Sequence, residues 1–171
     1  EMCIRDSLIK YVFEDIIRLG CKFAILGSGE KIYEDFFSEM HYRYPDRVGL
    51  TIGFVPELSK KIYAGADMFL MPSQSEPCGL AQMIALRYGT IPIVRETGGL
   101  RDSIHDAGDK NGNGFTFKSY NAHDMLDAVV RARAYYDDKM KWGRLVNTAL
   151  KQNFSWTKSA KDYIALYNDI H

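Results

Sequence analysis

The stretch "DMFLMPSQSEPCGLAQMIALRYGTIPIV", residues 67–94, decides the fold. An apolar run of strand length meets a corner of Ser, Pro, Cys and Gly. Apolar residues then return at helical spacing as far as Gly89, and a second apolar run follows. Runs without polar alternation are strands buried on both faces. A helix joining two such strands is the crossover that makes them parallel.

The same alternation extends outward in both directions. Upstream, the spacing predicts a helix from Leu8 to a stop at Gly20, the strand "KFAIL" and the helix "KIYEDFFSEMHYRY", which stops before Pro45. "RVGLTIG" and "PELSKKIYAG" follow as strand and helix. Downstream come the short segment "GGLRDSIHD", the turn-rich "AGDKNGNG", the strand "FTF" and three helical stretches at 121–135, 137–151 and 155–170. Strand and helix alternate throughout, so the expected fold class is α/β, a doubly wound Rossmann-like parallel sheet with a helical C-terminal tail packed over one face. In a sheet of order 3-2-1-4-5-6 the opening strand lies in the middle, yet only "EMCIRDS" precedes the first helix. The opening strand is therefore expected to be missing, leaving "KFAIL" and "DMFLM" to face each other across a gap.

Length and composition narrow the function. At 171 residues, 46% of them hydrophobic, the chain suits one domain with a sizeable core. Lys plus Arg and Asp plus Glu both number 22, so no basic excess favours a nucleic acid or an anionic membrane surface. Apolar runs such as "ADMFLM" fall far below the roughly 20 residues of a membrane span. Three cysteines at irregular spacing suggest neither a disulfide framework nor a metal site, and a cytoplasmic location is expected.

Ligands of doubly wound sheets lie beyond the carboxyl ends of the strands. That singles out four loops: 27–30, 53–57, 72–79 and 95–99. In the third, a helix is expected to start near Cys78 or Gly79, with backbone N–H groups aimed at the crevice. Glu76 would precede it as a fixed carboxylate able to accept from sugar hydroxyls or to stabilise positive charge at an anomeric carbon; a Glu favoured by the helix dipole is the competing reading. Cys78 reads as a small buried filler whose backbone matters more than its sulfur, because no His or second Cys stands nearby in sequence; a low-pKa thiol at a helix N-terminus is the competing reading. Thr97, Gly98 and Gly99 form a second glycine-rich helix start of the kind that holds phosphate through oriented amides, although by itself the stretch is only a turn. "GSGEKI" has Ile32 at the third glycine position of a dinucleotide fingerprint and reads as a tight turn. Phe54, after Gly53, is either a stacking platform for a base or a core residue. His41, His105 and His123 carry no ligand spacing.

Taken as a unit, "KIYAGADMFLMPSQSEPCGLAQMIALRYGTIPIVRETGGLRDSI" (61–104), with "GNGFTF", "YNAHDML" and "FSWTKSAKDYIALY", resembles the C-terminal half of bacterial glycogen synthases and plant starch synthases. The resemblance runs from about Leu8 to the C-terminus. It implies residues 8–171 as the nucleotide-sugar-binding Rossmann-like domain of a two-domain enzyme, with residues 1–7 atypical and the N-terminal Rossmann-like domain as a missing partner. It implies transfer of glucose from ADP-glucose to the non-reducing end of an α-1,4-glucan with retention, without a metal or other cofactor. Carried onto this sequence, it makes Glu76 the catalytic carboxylate, grouped with the amides of Cys78 and Gly79 around the donor glucose. Gly79, Leu80, Thr97, Gly98 and Gly99 become the diphosphate neighbourhood, and Gly53 with Phe54 flanks the adenine.

Two departures stand out. The family's basic pair after the first strand is absent, with Ile4 where its Lys belongs. A second Glu, often found eight residues after the first in related retaining transferases, is replaced here by Ile84; glycogen synthases as a group lack it, so this departure sharpens the resemblance. The chain alone is thus expected to be inactive. The competing readings are another retaining nucleotide-sugar transferase and a non-catalytic nucleotide-binding fragment.

Overall fold

The computed structural model describes residues 6–170; the atypical N-terminal segment and Ile4 lie almost wholly outside them. Helix α1 (Asp6–Arg18) is followed by β1 (Phe23–Gly27), α2 (Lys31–Arg43), β2 (Val48–Ile52), α3 (Pro56–Gly65), β3 (Met68–Met71), α4 (Ala81–Tyr88) and β4 (Ile91–Arg95). Then come α5 (Gly98–Ser103), β5 (Phe115–Phe117), α6 (Ala122–Asp137), α7 (Lys139–Leu150) and α8 (Trp156–Ile170).

All strand pairs are parallel, and they form two sheets, β1-β2 and β3-β4-β5. Among the described residues no strand joins the two sheets. Residues 23–26 of β1 and 68–70 of β3 instead line one cavity of about 740 Å³. The gap expected between "KFAIL" and "DMFLM" is therefore present, and its walls carry Phe23, Ile25, Met68 and Leu70, with Cys21 and Arg133 at its margin.

The larger core lies on β3-β4-β5, where Met71, Ile91, Ile93, Val94, Phe115 and Phe117 pack against Leu86 of α4, Met125 and Val129 of α6 and Leu145 of α7. Each such side chain contributes about 1.5–3 kcal/mol through burial, so this sheet is the anchor of the molecule. The smaller core joins Phe13 of α1, Phe37 and Met40 of α2 and Val48 of β2, with the Phe13 and Phe23 rings stacked 4.3 Å apart. Helix α1 spans both cores, since Val12 and Ile16 belong to the first and Phe13 to the second. It thereby ties the two sheets together across the gap.

Side chains cap the later helices. Asn121 accepts from the amides of His123 and Asp124, and Asp138 from those of Met140 and Lys141. The loop after α5 is tied down by Asp106, which accepts from the Thr116 amide at 2.9 Å, and whose Oδ1 and Oδ2 both accept from Arg131 Nη1, at 3.0 and 2.8 Å. Burial opposes ionisation of Asp106, but hydrogen bonds from Arg131, Thr116 and Gly108 outweigh it and hold the carboxyl below its ordinary value.

Three expectations need correction. Helix α4 begins at Ala81, not at Cys78 or Gly79, because Gly79 takes a left-handed φ of 71° that the helix cannot continue through. Helix α1 starts two residues earlier than its apolar pattern, at Asp6. The tail does not pack back as a whole: α6 and α7 cover the larger sheet, whereas α8 leaves Trp156, Tyr163, Ile164, Leu166, Tyr167 and Ile170 exposed.

Candidate functional site

The carboxyl ends of β3 and β4 carry the segments 72–80 and 96–99, and the structure locks these two together. Glu76 accepts through its carbonyl from the Gly99 amide at 3.0 Å. A Cβ on Gly98 would stand 2.0 Å from the Glu76 carbonyl oxygen, and one on Gly99 would stand 2.0 Å from that of Cys78. No side chain fits there, so glycine at both positions lets the second loop lie directly on the first. The Gly99 amide, expected as a phosphate donor, is committed to Glu76. Thr97 is extended and caps the six-residue α5, its carbonyl accepting from Leu100 and Arg101.

The Glu76 side chain is 7% exposed, and the nearly buried Ser73 hydroxyl donates to its Oε2 at 3.3 Å. It precedes the first residue of α4 by five positions, beyond the reach of a first-turn dipole effect. The dipole reading of Glu76 therefore gives way to that of a carboxylate held in place by its own loop. Cys78 is exposed, which overturns its reading as a buried filler: the loop turns outward at Pro77, and its sulfur donates to the Gly79 carbonyl at 3.8 Å. Leu80 is likewise exposed and forms the N-cap of α4.

Gly53 and Phe54 stand apart from this cluster, at the end of β2 in the smaller sheet. Gly53 donates to Gly27 of the neighbouring strand at 2.8 Å with φ 134°. Phe54 is 90% exposed, so the core reading is excluded and an aromatic face is presented at the strand mouths. The structure thus joins Glu76, Cys78, Gly98 and Gly99 directly, sets Gly79, Leu80 and Thr97 beside them, and leaves Gly53 and Phe54 apart, at the carboxyl end of β2 in the other sheet.

Sequence reasoning missed three residues that hold this arrangement. Ser73 supports Glu76. Gln82 is fully buried, and its Nε2 donates to the carbonyls of Cys78 (3.2 Å) and Gly79 (2.8 Å) and to the Ser103 hydroxyl (3.1 Å). Arg95, the last residue of β4, donates to loop carbonyls on both sides. A polar residue on the inward face of an otherwise apolar helix was the available signal for Gln82. Among the described residues no group of three or more His, Cys, Asp or Glu is placed to hold a metal ion, and no helix is long and apolar enough to cross a membrane.

Known proteins match this chain over most of its length. Over 166 residues the chain is 52% identical to the glycogen synthases of Anoxybacillus flavithermus and Bacillus anthracis, covering 96% of this chain but 34% and 35% of theirs. It thus spans about a third of the length of the curated relatives it matches. Among solved structures, the catalytic domain of starch synthase IV from Arabidopsis thaliana, bound to ADP and acarbose, is 37% identical with a TM-score of 0.85, covering 98% of this chain and 36% of that one. The family described as "Glycosyl transferases group 1" matches residues 8–144. Parallel sheets flanked by helices, a fixed carboxylate at the strand mouths and this match over most of the chain lead to one assignment: the chain belongs to the group 1 glycosyl transferases.

Proposed function

We propose that this chain is the donor-sugar domain of a glycogen or starch synthase, which transfers glucose from ADP-glucose to the non-reducing end of an α-1,4-glucan with retention. Residues 8–171 form that domain, and the rest of the active site comes from an N-terminal Rossmann-like domain of the same cytoplasmic enzyme. The observation that carries the reading is Glu76, a 7% exposed carboxylate held by Ser73 on a loop whose backbone is locked to Gly98 and Gly99. A carboxylate so fixed needs no reorganisation when positive charge develops at the anomeric carbon.

Cys78, Gly79 and Leu80 with Thr97 and Gly98 flank the donor's glucose and diphosphate, and the exposed Phe54 beyond Gly53 offers a face for the adenine. The glycogen synthases at 52% identity and the starch synthase structure containing ADP support the substrate class. Because the chain covers about a third of those relatives, it is proposed to transfer no glucose by itself.

The test is glucose incorporation into glycogen by the intact enzyme that carries this chain, supplied with ADP-glucose or UDP-glucose. The expected result is incorporation from ADP-glucose with α-linkage retained. Transfer of a different sugar, or none from either donor, overturns the reading.

A further inference from the structure

We propose that Arg95 is a positioning residue for the transfer step, clamping the loop that carries Glu76; this rests on the function proposed above. Arg95 ends β4 and sits between the loops that follow β3 and β5. Its Nη1 donates to the carbonyls of Ser73 (3.3 Å) and Gln74, and its Nε donates to that of Lys118 (3.2 Å). Its guanidinium lies over the Tyr120 ring, 5.7 Å from the centroid.

Ser73 is the residue whose hydroxyl holds Glu76, so the clamp fixes the donor of the Glu76 hydrogen bond rather than the carboxylate itself. Gln82 secures the other end of the loop through the carbonyls of Cys78 and Gly79. Glu76 thus stands between two side-chain anchors that both act on main-chain carbonyls.

Only a guanidinium serves here. Its planar fork places donors on separate nitrogens, Nη1 toward residues 73 and 74 and Nε toward Lys118, and stacks on an aromatic ring, whereas an ammonium's three donors radiate from one nitrogen that cannot span both loops. Arg95→Lys therefore keeps the charge and removes the clamp. That separates positioning from a direct electrostatic role toward the diphosphate, which lysine would retain.

In the intact enzyme, Arg95→Lys is expected to lower kcat by about a hundredfold, the scale of a 1 Å misplacement, with KM for ADP-glucose changed less than about threefold. In a Glu76→Ala background the same change should cost less than about twofold, because a residue acting through Glu76 has nothing left to position. Amides of residues 73–80 should exchange at least about tenfold faster in Arg95→Lys, with those of β4 unchanged.

A loss confined to KM, or a full hundredfold loss on top of Glu76→Ala, overturns the proposal by showing direct contact with the donor. Unchanged exchange in 73–80 also overturns it. Should the unsubstituted enzyme transfer no glucose, the proposed function fails by that result, and the exchange measurement alone then decides whether the clamp exists.

Discussion

At Glu76 the backbone and the side chain are held by different means, the first by the Gly99 amide and the second by the Ser73 hydroxyl. A group fixed in this way acts mainly in the transition state. In the intact enzyme Glu76→Ala should therefore lower kcat by about a hundredfold or more while KM for ADP-glucose changes little; steady-state kinetics in which only KM rises would remove Glu76 from a catalytic role. Gly99→Ala places a methyl carbon against the Cys78 carbonyl, and such overpacking costs about 1–3 kcal/mol. At about 2–4 °C per kcal/mol, the melting temperature of the intact enzyme should fall measurably, whereas Gly65→Ala, which meets nothing within 4 Å, should not lower it. The chemistry of these residue types was legible in "SEPCGL" and "TGGL". Their mutual contact was not, because nothing in the spacing of residues 76 and 99 says that one loop rests on the other. The exposure of Cys78 was hidden for a related reason: its burial depends on where the chain turns at Pro77.

Elements were legible where a period runs long enough to be counted. Strands buried on both faces, such as "IPIV", and helices with a clear apolar stripe, such as α2, were recognisable because their burial is set by local pattern. Helix α4 was displaced because glycine's left-handed geometry at Gly79 overrides the apolar pattern around it. Nor did its own pattern reveal that α8 lies uncovered, since an amphipathic helix carries the same signature whether or not its partner is present. The tie between the loop after α5 and α6 is a further long-range feature, made by Asp106 and Arg131, which are 25 residues apart. The Asp106 carboxyl ionises more readily folded than unfolded, so its contribution is complete above the unfolded value of about 4. It fades as pH falls through the lower folded value. Asp106→Asn should cost about 1–2 kcal/mol at pH 7, less than a buried pair because water reaches the partly exposed Arg131. Denaturant unfolding of the intact enzyme should show this difference shrinking below about pH 4; a difference independent of pH would assign it to shape rather than charge.

At the scale of the molecule, the described residues form two parallel sheets joined by α1 across an apolar gap. The facing edges of β1 and β3 expose backbone groups beside Phe23, Ile25, Met68 and Leu70, and an open edge of this kind is a template for pairing with another chain. The polypeptide alone should therefore associate as its concentration rises, visible by light scattering and as lost recovery in size-exclusion chromatography. A monomer with a single cooperative thermal transition would contradict this. The wall of the gap also contains a built-in chemical reporter. Cys21 sits at its margin, where the turn carbonyls of Leu19 and Gly20 accept from Arg133 and Arg47. Burial pushes the Cys21 thiol up despite both guanidinium groups. Only a thiolate alkylates readily, so near pH 8 iodoacetamide should modify the exposed Cys78 well before Cys21, with Cys21 reacting appreciably only in more alkaline solution. Anything that enters the gap would withdraw the sulfur further from reagent, and peptide mass spectrometry of the alkylated chain would read the occupancy of the gap from a single native side chain.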